Sequence, residues 1–333
     1  MNIAFPIAMA LSTLLALNIG ANNSAASMAT AYGAGVRSKR EAVILIAVFA
    51  LMGAFLAGAR VIKTLSGGLV PESVLSSHFD LVLIVLIIAI FFISWANIIR
   101  IPIATTHAIV CAVAGVGLYS HALNVKKFIE IISWWIITPF IAWSLNYIAG
   151  RYLYFRVLRF LTDRYSESRI RRILGFLITL SGCSIAFSAG SNHAATSIGP
   201  LVGMGLISPS FGAVLAGLGM GLGAILLGGR VLETVGKEIT EICTLRAISV
   251  ELIGAILILI ASVFGIPVSL SEITTAGVIG FSCANQGFSA TAENRHVVRI
   301  ALFWFVIPFF AIGASYALSS LSFKYGVTAM LGF

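Results

Sequence analysis

Apolar residues run along this chain in long unbroken stretches, with neither the alternation of strands nor the single stripe of a soluble helix. Ten stretches lie near 3–19, 42–59, 80–98, 103–119, 129–149, 173–189, 211–228, 248–265, 273–291 and 300–321. Each reaches the length of about 17–25 residues with which a helix crosses a bilayer. The pattern predicts an all-α polytopic membrane protein. Two stretches rich in Gly, Ala, Ser and Asn, 20–36 and 190–206, depart from it. They are too polar to face lipid and neutral enough to enter the membrane. Each is expected to extend the preceding crossing as a broken helix or a re-entrant turn, since irregular backbone at that depth must be buried in protein.

Composition narrows the class. Hydrophobic residues make up 59% of the 333 residues and charged ones 10%, against about a quarter charged in a soluble domain. A soluble enzyme, a disordered chain and a secreted disulfide scaffold are excluded. The four cysteines form no CxxC pair and read as small buried apolar residues. Met1 to Leu17 has no basic segment before it and is expected to be the first crossing, not a removed signal. No nucleophile–base pair and no metal-ligand spacing stands out, so no enzyme activity and no cofactor are expected.

The net charge of +9 suggests an anionic partner until it is sorted by position. The loop 151–172 holds Arg151, Arg156, Arg159, Arg164, Arg169, Arg171 and Arg172 and should be cytoplasmic. Alternating outward from it puts sixteen of the 21 basic residues inside. Only Arg60, Lys63, Lys126, Lys127 and Lys324 fall outside. Topology, not nucleic acid, explains the imbalance. Expected are five crossings per half, both termini outside, in the cell (inner) membrane. The divisions are an N-terminal membrane repeat 1–150, a basic cytoplasmic linker 151–172 and a C-terminal repeat 173–333. With an odd number of crossings each, the halves would be inverted.

The halves also resemble each other in sequence. Shifted by 170 residues, Gly20, Asn22, Ala25 and Ser27 fall on Gly190, Asn192, Ala195 and Ser197. At the same shift Gly53, Gly58, Arg60 and Val61 fall on Gly223, Gly228, Arg230 and Val231. Further on, Ile101-Pro102 matches Ile266-Pro267, and Trp135 and Pro139 match Trp304 and Pro308. An inverted repeat with irregular polar segments in matching places points to a secondary transporter. A helix starting inside the membrane offers open N–H groups and a positive dipole end to an anion.

The candidate ligands follow from this. Asn22, Asn23, Ser24, Ser27, Asn192, His193, Thr196 and Ser197 lie in the two polar segments. Thr105, Thr106, Ser269 and Ser271 follow the two prolines, where a half-helix would begin. The asparagines read either as substrate ligands or as caps of a helix break, the hydroxyls as ligands or as interhelical glue. His193, His107 and Glu272 are proton-coupling candidates, or satisfied structural partners. Arg60 and Arg230 read as snorkelling ends or as attractors of substrate. The glycines at 217, 219, 221 and 223 read as close helix packing, since no phosphate-loop ending follows.

These motifs resemble those of the inorganic phosphate transporter family, and the resemblance spans nearly the whole chain. That family carries a Gly-Ala-Asn-Asp type motif near the start of each half, here Gly20-Ala21-Asn22-Asn23 and Gly190-Ser191-Asn192-His193. Its Pro-Val-Ser-Thr-Thr-His type motif stands here as Pro102-Ile103-Ala104-Thr105-Thr106-His107 and Pro267-Val268-Ser269-Leu270-Ser271-Glu272. The resemblance implies anion uptake by a symmetric bundle, often a homodimer, in contact with membrane lipid. The family's aspartates, implicated there in cation coupling, are replaced by Asn23 and His193. A hard cation loses its charged oxygen ligands at those positions. Phosphate carries a proton that a carboxylate can accept, whereas sulfate carries none and is repelled. The chain is similar to the sulfate permease branch of the family, whose first motif also lacks the aspartate. Sulfate uptake, proton-coupled, is expected by alternating access, with phosphate transport under altered coupling as the alternative. Thiosulfate shares the charge and near-tetrahedral shape of sulfate. A passive anion channel is a third reading, which uptake that never exceeds electrochemical equilibrium would favour. The paired polar segments argue against a structural subunit, since nothing structural requires them twice.

Overall fold

The computed structural model describes residues 4–99, 104–229, 244–288 and 295–324. Among these, all regular structure is helical. The first half holds α1 (Ala4–Gly33), α2 (Lys39–Ala57), α3 (Ala59–Lys63), α4 (Glu72–Ser77), α5 (Phe79–Ile99), α6 (Thr105–Tyr119) and α7 (Val125–Ile148). A short α8 (Tyr154–Arg164) leads to α9 (Glu167–Gly203), α10 (Pro209–Gly223), α11 (Thr244–Val263), α12 (Leu270–Gln286) and α13 (Arg295–Lys324). Among the described residues seven helices are long and apolar enough to cross a membrane, and 79–95 and 105–119 form shorter apolar helices. The described part of each of the ten apolar stretches falls largely on helix, although not every one reaches crossing length alone. The chain is an integral membrane protein. Its outer face carries exposed Phe55, Phe140, Phe176, Phe305 and Phe309, where a soluble protein would present charge.

The two polar stretches correct the expectation. Neither breaks: α1 continues through 20–33 and α9 through 190–203. Helix satisfies the backbone internally, and the small polar side chains do not compete with it. Ser24 donates to the Gly20 carbonyl at 2.9 Å and Ser27 to the Asn23 carbonyl at 2.9 Å. Thr196 donates to the His193 carbonyl at 2.6 Å and Ser197 to the Ala194 carbonyl at 3.0 Å. Both helices stop before glycines in the left-handed region, Gly35 (φ 68°) and Gly205 (φ 72°), 170 positions apart.

What the small residues provide is close approach. A methyl on Gly20 would sit 2.0 Å from the Met220 carbonyl oxygen, and one on Gly190 2.0 Å from that of Ala50. The same reciprocity joins Gly53 to Phe187 and Gly223 to Leu17, at 1.9 and 2.1 Å. Ser12 donates to the Ser197 carbonyl, and Gly182 abuts the Ser27 carbonyl. In every pair both members shift by 170 and exchange partners. Contacts ascend along α1 as they descend along α9, so these equivalent helices run antiparallel. The glycines of α10 pack closely as expected, Gly219 against Ala16 and Gly221 against Ala47.

Around this crossing lies an apolar core that includes Leu15, Ile19, Ile62, Leu65, Ile109, Ile131, Ile185 and Ile258. Met28, Ala31, Ile46, Ile178 and Ile248 form a second cluster.

Candidate functional site

Within the described membrane core, the buried irregular backbone sits at the second proline motif, around Pro267, while the polar stretches stay helical to Gly33 and Gly203. Between α11 and α12 the chain leaves helix at Phe264 and re-enters it at Leu270. Gly265 takes φ 70°, which ends α11, and Pro267 cannot donate to a helix. Gly265 through Leu270 are buried, so every backbone group there needs a partner. The corresponding stretch before α6 lies partly outside the described residues, with Ala104 non-helical ahead of Thr105.

Asn192 of α9 holds this segment as a clamp. Its Nδ2 donates to the Ile266 carbonyl at 2.9 Å and to Ser262 Oγ at 3.0 Å. Its Oδ1 accepts from the Val268 N–H at 2.9 Å. Trp135 Nε1 donates to the Pro267 carbonyl at 2.9 Å, and Thr64 Oγ1 to the Gly265 carbonyl at 2.6 Å. Arg60 donates to the Val263 carbonyl at 2.6 Å, putting a cation on the negative end of α11. Of its two sequence readings, neither includes this capping role.

The Val268 carbonyl is the focus of the site. Thr106 Oγ1, in the first turn of α6, donates to it at 2.9 Å. His193 Nε2 approaches it at 3.2 Å. His193 Nδ1 in turn meets Asn23 Nδ2 at 2.9 Å. An amide N–H can only donate, so His193 Nδ1 accepts and the ring proton lies on Nε2. His193 is thereby a neutral bridge with both nitrogens engaged. The N-terminal turns of α6 and α12 meet at one peptide, and helix N-termini present N–H groups without intrahelical partners. On α12 Ser269 caps the turn, accepting the Glu272 N–H at 3.3 Å and lying 3.1 Å from Ser271 Oγ.

Beside this junction His107 Nε2 stands 3.2 Å from Glu272 Oε1, and both side chains are buried. His107 stacks on Trp135 with ring centroids 3.7 Å apart. Neither ring nitrogen of His107 makes a hydrogen bond among the described residues, so the approach of Nε2 to Glu272 is a close ion-pair contact, not a hydrogen bond.

The structure thus brings Asn192, His193 and Thr106 onto the Val268 peptide, with Asn23 behind His193, while Thr105, His107, Ser269, Ser271 and Glu272 stand at the adjoining helix starts of α6 and α12. Ser24, Ser27, Thr196 and Ser197 are buried and bonded to their own helices, where they serve packing. Ser24 fills the space beside Gly228 on the α10 side. Asn22 is half-buried on α1. Arg230 lies outside the described residues.

Sequence reasoning passed over Ser262, Thr64 and the clamping role of Trp135, which had been noted only as a mark of the repeat. It also passed over Glu251 of α11. That buried carboxylate accepts from Ser181 Oγ at 2.5 Å and from Thr30 Oγ1. A lone acid within the apolar run 248–265 was the available signal.

Comparison with known proteins places this geometry. A family model described as the phosphate transporter family matches residues 19–315. Sulfate permease CysP of Bacillus subtilis (strain 168) is 37% identical over 319 residues, covering 95% of this chain and 88% of that protein. A solved structure described as a sodium-dependent phosphate transporter matches with a TM-score of 0.79 and 24% identity, over 96% of this chain and 98% of that one. At that identity the likeness is one of fold.

Proposed function

Because this chain belongs to the phosphate transporter family, we propose that it carries a tetrahedral inorganic oxyanion across the cell membrane by alternating access, with sulfate as the preferred substrate. The observation that carries this reading is the meeting of the α6 and α12 N-termini at Val268, beside a neutral Asn23–His193 pair. Half-helix N-termini favour an anion without a full buried positive charge. An uncharged amide at Asn23 and a neutral imidazole at His193 stand where the family's acids would accept a proton from phosphate, which favours a dianion that brings none.

The antiparallel, reciprocal contacts of α1 with α9 support an inverted repeat of five crossings per half. In this reading both termini lie outside, the arginine-rich 151–172 segment faces the cytoplasm, and two copies form a homodimer. Thr105, Thr106, Ser269 and Ser271 line the anion site, and Asn23 and His193 close it. Rocking of the two halves about the Val268 junction exposes the site to either side in turn. Uptake is coupled to protons, since Asn23 and His193 replace the acids that a sodium site would use.

The test is uptake of radiolabelled sulfate by proteoliposomes holding the purified chain, under competition by thiosulfate, phosphate, selenate and molybdate. Saturable uptake blocked by sulfate and thiosulfate but not by phosphate is expected. Uptake blocked by phosphate and not by sulfate overturns the assignment and favours the phosphate carrier. Flux that never exceeds electrochemical equilibrium under an imposed proton gradient overturns coupled transport.

A further inference from the structure

We propose that Glu272 is the protonation site that couples anion binding to protons, its carboxylate holding the positive end of α12 when the anion is absent. The proposal deepens the oxyanion reading and rests on it. Glu272 is the third residue of α12, where a carboxylate interacts favourably with the helix N-terminus. An anion bound at the same helix end competes for the same field. Two like charges cannot share that buried position unless one is neutralised, and a carboxylate is neutralised by a proton.

His107 makes this exchange local. It occupies the first turn of α6, at the place matching Glu272 in the other half, 3.2 Å from the carboxylate. Both side chains are at least 95% buried. With one proton between them the pair is neutral overall. With two, a protonated imidazole and a neutral carboxyl, it carries one positive charge facing the anion site. Anion binding therefore draws a second proton onto the pair, and that proton strengthens anion binding by the same factor. The unpartnered Nδ1 of His107 supplies a further donor in that state. The proton enters from water on one side with the anion and returns to water on the other. No bond other than those to this proton is made or broken.

His193, Glu251, Arg60 and Asp80, titratable or charged groups that are buried or at helix ends, are engaged with other partners. His193 of α9 is engaged through both nitrogens. Glu251 of α11 is tied to Thr30 and Ser181. Arg60 of α3 binds the end of α11, and Asp80 lies at the far end of α5, accepting from Ser322. Among the polar groups described above, α1 adds Asn23 and α7 adds Trp135, neither of which titrates near neutral pH.

The experiment measures equilibrium binding of radiolabelled sulfate to the purified full chain from pH 5.5 to 8.5, together with proton uptake on sulfate addition in weak buffer. For the wild type, the apparent Kd is expected to rise about tenfold per pH unit above the pair's titration, with one proton taken up per sulfate. Glu272→Gln should bind sulfate with a Kd that no longer moves with pH and take up no proton. His107→Gln keeps the carboxylate and removes its cationic partner. It should shift the pH dependence upward by a unit or more, and it serves if Glu272→Gln fails to fold. A retained pH slope in Glu272→Gln, or an unshifted one in His107→Gln, overturns this proposal and leaves the substrate reading standing. No sulfate binding by the wild type at any pH overturns both.

Discussion

Asn23 and His193 stand at equivalent positions in the two halves, 170 residues apart, and hydrogen-bond to each other at 2.9 Å. His107 and Glu272, also equivalent, meet in the same way at 3.2 Å. Each self-matching pair joins one half to the other beside the Val268 peptide. A change at either member of a pair therefore acts on both halves.

The first such change restores the acids. Asn23→Asp combined with His193→Asp places two carboxylates where a neutral bridge now stands. Sulfate, bearing no proton to donate, is repelled, whereas phosphate can donate one. The ratio of sulfate to phosphate uptake is expected to fall at least about tenfold, a size in keeping with a site whose buried polar groups no longer match the ligand. A competition assay reads the ratio directly, and an unchanged ratio refutes the charge argument.

His193→Asn separates the bridge from the proton site. The imidazole is neutral and doubly engaged, and removing it takes away the contact to the Val268 carbonyl. Losing one hydrogen bond from a buried acceptor costs about 1–3 kcal/mol. Sulfate affinity should weaken about tenfold or more while its pH slope persists. A flattened slope would move the coupling from Glu272 to His193.

Asn192→Ala tests the clamp. It strips the Val268 N–H and the Ile266 carbonyl of their partner at once. With two buried backbone groups left unsatisfied at about 1–3 kcal/mol each, a loss of roughly 2–5 kcal/mol is expected. Thermal unfolding in detergent should show a markedly lower Tm and sulfate binding should fail. Asn192→Asp keeps the acceptor for Val268 but lacks the donor for Ile266, so it should fall between.

Much of this was legible in the chain itself. Hydropathy located the helices because lipid-facing segments must be apolar along their whole length, as Phe140 and Phe309 illustrate. The 170-residue repeat marked Asn23 and His193 as equivalent positions, and the structure brings the two together. The location of the irregular backbone was misread. Glycine and serine at 20–27 and 190–197 look like helix breakers by local propensity, yet tertiary packing sets their role. Gly20 and Gly190 are there because a neighbouring carbonyl lies where a side chain would be, and that neighbour is about 200 or 140 residues away in sequence. The described break at 264–269 falls where Pro267 removes a donor, a signal read in the chain as a helix start. Glu251 went unnoticed because its two hydroxyl partners, Thr30 and Ser181, come from helices that sequence alone does not bring together.

The packing account of those glycines makes the last prediction. A methyl at Gly20 or Gly190 meets backbone oxygen at 2.0 Å, and backbone cannot swing aside as a side chain would. Gly20→Ala must push α1 off α10, and Gly190→Ala must push α9 off α2. Overpacking of this kind costs about 1–3 kcal/mol and sometimes more. Two rigid backbones in contact put these sites at the upper end, about 3 kcal/mol. Because the contacts are reciprocal, the two variants should be destabilised to a similar degree. Gly313→Ala is the control, since nothing lies within 4 Å of its added methyl in α13. That variant should be neutral, or more stable by up to about 1 kcal/mol through helix propensity. Thermal melts of the three purified variants decide the matter. If Gly20→Ala and Gly190→Ala melt with Gly313→Ala, close approach is not what holds the two halves together.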